Sequence, residues 1–156
     1  MKIVATMLVL VGCLLLILYA TPRMLAFRGH REVADMTPEK AQKLFESVGG
    51  PNEVNREAQV LFGRFGTNDW KFLYPEDLKS TPAISSLYSI CENYSGKNYS
   101  GTSITIYSSN GRRLEIKYGN HWSLKWFYIF DPSANAAINL PSTNWFQVTS
   151  NIFSSR

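Results

Sequence analysis

Histidine and cysteine are scarce, with two of each in 156 residues. His30 and His121 lie far apart, and no C-x-x-C or H-x-x-x-H spacing occurs, so a zinc ligand set has no basis in this chain. Cys13 falls inside an apolar run and Cys91 in the chain beyond it, so no disulfide closes within the soluble part, and cysteine usage says nothing about redox compartment. Phosphate-cradling glycine loops are missing too. Gly49-Gly50-Pro51 lacks the Lys-Ser/Thr that a P-loop needs and reads as a break between two helices. Excess charge is equally small. From Thr37 onward twelve Lys and Arg face ten Asp and Glu, a net +2 that argues against nucleic acid as a partner. No cofactor is implied.

What the chain does have is one long uncharged stretch. Residues 3–20 contain eleven Leu, Ile or Val and no ionisable acid or base, and as a helix they would span ~27 Å, close to the hydrocarbon core of a bilayer. The sequence predicts a single-pass N-terminal membrane anchor with its flank over residues 1–27, a juxtamembrane linker over 28–36 and one globular domain over 37–156. Membrane lipid is then the expected partner of residues 3–20, and a second protein a further one. Two alternatives compete with a retained anchor. Leu18-Tyr19-Ala20 is a poor small-x-small cleavage site for a secretory signal, and Leu10-Val11-Gly12-Cys13 resembles a bacterial lipobox, although a further apolar run follows Cys13 instead of a polar tether. Arg23, Arg28 and Arg31 favour a cytoplasmic domain by the positive-inside rule, whereas the short tail carrying Lys2 is that of a signal-anchor with its domain outside. These two considerations oppose each other and leave the side open.

Within the domain, Thr37-Pro38-Glu39 has the composition of a helix start, and Ala41, Leu44, Phe45 and Val48 recur at helical spacing before Gly49-Gly50. A second helix places Val54, Ala58, Leu61, Phe62 and Phe65 on one stripe. Residues 67–80 read as a connection, residues 82–89 as a short third helix, and residues 93–101 as a polar loop in which Asn93-Tyr94-Ser95 and Asn98-Tyr99-Ser100 match the glycosylation acceptor pattern. After Gly101 the period changes to two. A three-residue loop Ser109-Asn110-Gly111 pairs Ile106 with Leu114 and Ile104 with Ile116. A second such loop, Gly119-Asn120-His121, pairs Tyr118 with Trp122 and Glu115 with Lys125. A fourth strand is expected over 144–150. The expectation is an α+β fold in which a transmembrane helix precedes two to three short helices, packed on one face of a three- to four-stranded antiparallel meander. In element order alone this is similar to the cystatin and NTF2-like curved sheets, an analogy that carries no function.

Two groups of residues are candidates for function. Cys91, His121 and Asp131 are the only set from which a nucleophile, base and orienting acid of a cysteine hydrolase could be drawn. The signal is weak, because His121 is already accounted for as a turn residue and Cys91 as a small buried apolar one. On the expected register Tyr107, Arg113, Phe127 and Ile129 fall on the outward face of the sheet and form a candidate binding surface, unless the C-terminal segment folds across them. Arg112, Arg113, Lys117 and Lys125 read as solvated strand charges that discourage edge pairing. The favoured reading is a non-catalytic, membrane-anchored interaction or accessory domain. A Cys/His-type hydrolase and a lipoprotein or secreted ligand-binding domain are the alternatives.

Overall fold

A computed structural model describes residues 7, 10–17, 36–66, 69–95, 101–108, 112–120, 123–132, 140 and 144–156. Its first domain helix, α1 (Pro38–Ser47), starts where Thr37 Oγ1 accepts the Lys40 amide at 3.3 Å and Pro38 takes the first helical position. It stops through a paired glycine signal. Gly49 and Gly50 have φ of 107° and 92°, and their amides return to the carbonyls of Glu46 (3.2 Å) and Phe45 (2.8 Å), satisfying the last turn as a Schellman motif does. Helix α2 (Pro51–Phe65) follows at once and buries Val54, Glu57, Ala58, Leu61 and Phe62. It ends at Gly66, whose amide returns to the Phe62 carbonyl at 2.9 Å.

Glu57 is a charged residue on an otherwise apolar stripe, and it is only 1% exposed. Its Oε2 accepts the amide of Ile84 at 2.9 Å, the third residue of α3 (Pro82–Ser95). Thr81, the residue ahead of that helix, turns its own hydroxyl back to the Leu78 carbonyl at 3.0 Å, so the carboxylate of one helix caps the next. α3 runs six residues beyond the expected 82–89. It extends because Ser95 is satisfied there: its hydroxyl donates to the Cys91 carbonyl at 3.0 Å and accepts the Gly119 amide at 2.8 Å, fastening the helix end to the sheet. The remainder of the expected polar loop, 96–100, lies outside the described residues.

The sheet has six antiparallel strands in the order β1-β2-β3-β4-β6-β5. These are β1 (Trp70–Leu73), β2 (Ser103–Tyr107), β3 (Arg113–Asn120), β4 (Ser123–Phe130), β5 (Trp145–Thr149) and β6 (Ile152–Ser155). The fold is α+β as expected, but the sheet exceeds three to four strands and is not a plain meander. β1 adds an edge from what reads as a connection, and β6 folds back to lie between β4 and β5. The β2–β3 register is the expected one, with Ile104 opposite Ile116 and Ile106 opposite Leu114, while loop residues 109–111 lie outside the described residues.

The β3–β4 register is not. Asn120 pairs with Ser123, so two residues rather than three separate the strands, and Glu115 meets Tyr128 instead of Lys125. Trp122, expected opposite Tyr118, lies outside the described residues. The slip is of three residues, and an odd slip turns a strand over. Phe127 and Ile129, expected to face outward, are fully buried beneath the helices, and Trp126, Tyr128 and Phe130 take the outer face. Packing accounts for the choice. Phe127 stacks on Tyr118 at 5.0 Å and receives the edge of Phe45 from α1 at 5.1 Å, joining the helices to the sheet in one aromatic contact. Lys125, drawn to the helix side by the same register, reaches the main-chain carbonyl of Arg156 with its ammonium.

Met36 is also buried in the core, one residue before the expected domain start. Of the expected membrane segment 3–20 only residues 7 and 10–17 are described. These are helical and exposed. Among the described residues no helix is long and apolar enough to cross a membrane.

Candidate functional site

Strand alternation sends one residue in two to the face away from the helices, and on this sheet that face is aromatic. Trp70 and Phe72 come from β1, Tyr107 from β2, Trp126, Tyr128 and Phe130 from β4, Trp145 from β5 and Phe153 from β6. β3 contributes the charges. Arg113, Glu115 and Lys117 are successive outward residues on it, so the carboxylate lies between two cations.

The rings are ordered by contact with one another. The Arg113 guanidinium lies 4.3 Å from the Tyr107 ring centre and 5.5 Å from that of Tyr128. Tyr128 stacks on Trp145 at 4.9 Å with 14° between planes, and Phe130 sets its edge against Tyr128 at 6.2 Å and against Phe153 at 5.8 Å. Lys117 lies over Trp126 at 5.2 Å. Aromatic pairs of this kind contribute about 0.5–1.5 kcal/mol each beyond area burial, and exposed cation–π contacts about 0.5–1.

Glu115 is the buried carboxyl at the centre. Burial pushes its pKa above the ordinary carboxylate value, while the Tyr128 hydroxyl, Arg113, Lys117 and the Tyr107 hydroxyl pull it back. Both phenols are raised in turn, first by burial and then by the Glu115 charge. Among the described residues, two donors on the face are buried without an acceptor, Arg113 Nε and Trp145 Nε1. A buried N–H left unpaired is costly.

The candidate catalytic set is not brought together. Cys91 is fully buried on α3 beside Tyr118, with its thiol pKa pushed up by burial, the opposite of an activated nucleophile. Asp131 belongs to the other end of β3: its carboxylate lies 3.6 Å from Arg112, and its amide donates to the Arg112 carbonyl at 2.8 Å. Residues 112 and 118 are separated by ~20 Å along a strand. His121 lies outside the described residues. No group of three His, Cys, Asp or Glu gathers among the described residues in a way that would hold a metal.

Of the expected binding surface, Tyr107 and Arg113 lie on the outer face as expected, and Phe127 and Ile129 do not. Glu115, Tyr128 and Trp145 take their place. The signal that could have found Tyr128 beside Glu115 is the turn length between β3 and β4, since a two-residue loop puts the two opposite each other. Arg112 and Lys125, grouped with the strand charges, are held in an ion pair and at the Arg156 carbonyl respectively. Comparison with protein-family models, with curated proteins and with solved structures returned no match.

Proposed function

We propose that this chain is a non-catalytic interaction or accessory domain, held at a membrane by one N-terminal span, and that the outer sheet face around Arg113 takes its protein partner. The observation that carries the reading is the half-exposed cluster on that face, in which Arg113 lies over the Tyr107 ring and Trp145 stacks on Tyr128. Arginine and tryptophan flanked by tyrosine are the residues in which binding energy concentrates at protein interfaces. The span is supported by the uncharged run 3–20 and by the exposure of every apolar side chain described within it, which leaves that stretch in need of an apolar surrounding.

The test is affinity capture with the tagged full chain from detergent-solubilised membranes. Arg113→Ala removes a guanidinium on the exposed side of the sheet, and a defined partner is expected to lose about thirtyfold in affinity, the hot-spot threshold. Equal capture by wild type and Arg113→Ala removes the face from consideration. Saturable turnover of a small substrate, abolished by Cys91→Ala, would overturn the non-catalytic reading. Intact-mass measurement of the membrane-bound chain settles the N-terminus: retention of Met1 or Lys2 excludes both cleavage and lipidation at Cys13.

A further inference from the structure

Three of the most exposed large side chains of the domain stand in a single row. Trp70, Phe72 and Tyr74 are 56%, 48% and 62% exposed. They alternate along β1 and the extended residue that follows it, so they leave the sheet on one side, and Trp70 and Phe72 meet edge-on at 5.1 Å. β1 is the outermost strand, and among the described residues no further strand lies against it. Lys71, between the first two rings, points to the opposite side and is engaged there by Asp77 at 3.6 Å and the Phe65 ring at 3.8 Å. Asp69, Glu76 and Lys79 are exposed charges along the strand and the turn after it, and Arg64 and Arg112 are exposed near its Phe65 end.

Backbone geometry limits what can cover such a row. The Ser108 amide donates to the Asp69 carbonyl at 3.0 Å, which makes Asp69, Lys71 and Leu73 the residues bonded to β2. The main-chain groups of Trp70 and Phe72 are therefore directed off the edge. They need water or another donor-acceptor surface and are not tolerated inside hydrocarbon. Rings that are apolar in body, with polar tips on tryptophan and tyrosine, beside backbone groups directed off the edge, match the headgroup zone of a bilayer.

Covalent connection keeps that zone near. Eighteen residues separate position 17 from Met36, and even fully extended they hold the domain within about 60 Å of the end of the helical run. Tethering makes a weak contact count, because the second binding event is intramolecular. We propose that β1 docks the domain edge-first on the membrane to which it is tethered, with Trp70, Phe72 and Tyr74 among the headgroups. The proposal rests on the single-span reading above.

The experiment uses the full chain reconstituted in phosphatidylcholine vesicles whose acyl chains are brominated near the headgroup, with tryptophan emission as readout. Quenching is expected in the wild type, loss of that quenching in Trp70→Phe, and its weakening in Phe72→Ser with Trp70 intact. No change is expected between low and high salt. Quenching that survives Trp70→Phe overturns the proposal, because another tryptophan then meets the lipid. Absence of quenching in a chain that resists carbonate extraction overturns it while sparing the anchor, and leaves the row facing water and open to a protein or glycan. Removal of the chain by carbonate overturns both.

Discussion

Replacing Glu57 by alanine tests the central claim about how the helices are held together. The carboxylate is buried, its Oε2 holds the Ile84 amide at 2.9 Å, its Oε1 has no hydrogen-bond partner among the described residues, and Arg56 Nη2 lies 4.0 Å from it. Glu57→Ala orphans one amide at the start of α3. A hydrogen bond to a charged group contributes about 1.5–3 kcal/mol, and the space vacated in a packed interior adds to the loss. Relief of the buried charge acts in the other direction. The expected net destabilisation is about 2–3 kcal/mol, which for a domain of this size lowers the melting temperature by roughly 8–12 °C. Glu57→Gln keeps a carbonyl for Ile84 but buries two amide hydrogens near Arg56, and is expected to cost about half as much. Thermal unfolding of the detergent-solubilised chain by far-UV circular dichroism reads both variants, and hydrogen exchange at the Ile84 amide reads the cap directly. An alanine variant within about 0.5 kcal/mol of wild type, or unchanged protection at Ile84, refutes the cap as a stabilising element.

Two further outcomes follow from the outer face and the core. Because the folded-state pKa of Glu115 is raised, the native state binds the proton more tightly than the unfolded chain does, so its contribution is fully present below the ordinary carboxylate value and is lost as pH rises through the raised one. Glu115→Gln is therefore expected to melt above wild type at pH 7, with the difference closing toward pH 4, and a constant difference across that range would show that its titration is not coupled to folding. Cys91 should resist alkylation at pH 8 in the native chain and react only on unfolding, since its thiol is both enclosed and raised in pKa; labelling of the folded protein at Cys91 would contradict its placement.

How much of this was readable beforehand depends on local pattern. β2 and β3 alternate cleanly, with Ile104, Ile106, Leu114 and Ile116 separated by polar residues, so only one register buries both rows. β4 offers no such contrast. Trp126-Phe127-Tyr128-Ile129-Phe130 is apolar at every position, and either set of alternate residues can face a core. The apparent support from a Glu115–Lys125 pair was misleading, because a single charge pair weighs less than stacking Phe127 on Tyr118 and Phe45. The candidate surface inherited that error, so Tyr107, Arg113 and the outward placement of Glu115 were legible while Tyr128 as its neighbour was not. β1 and β6 are four residues each, too short for periodicity to stand out beside their Asp, Asn and Pro neighbours.

The position of β6 bears on how the sheet is completed during synthesis. Ile152 and Ser154 are fully buried, the Ser155 hydroxyl accepts the Trp126 amide at 2.9 Å, and among the described strands β5 pairs with this one. As the polypeptide leaves the ribosome, β5 therefore emerges with nothing to join. Until residues 152–155 follow it out, the β4 edge at Trp126, Tyr128 and Phe130 lacks the strand that pairs with it. Sheet closure waits on residues 152–155, and until they are in place the growing chain is exposed to mispairing.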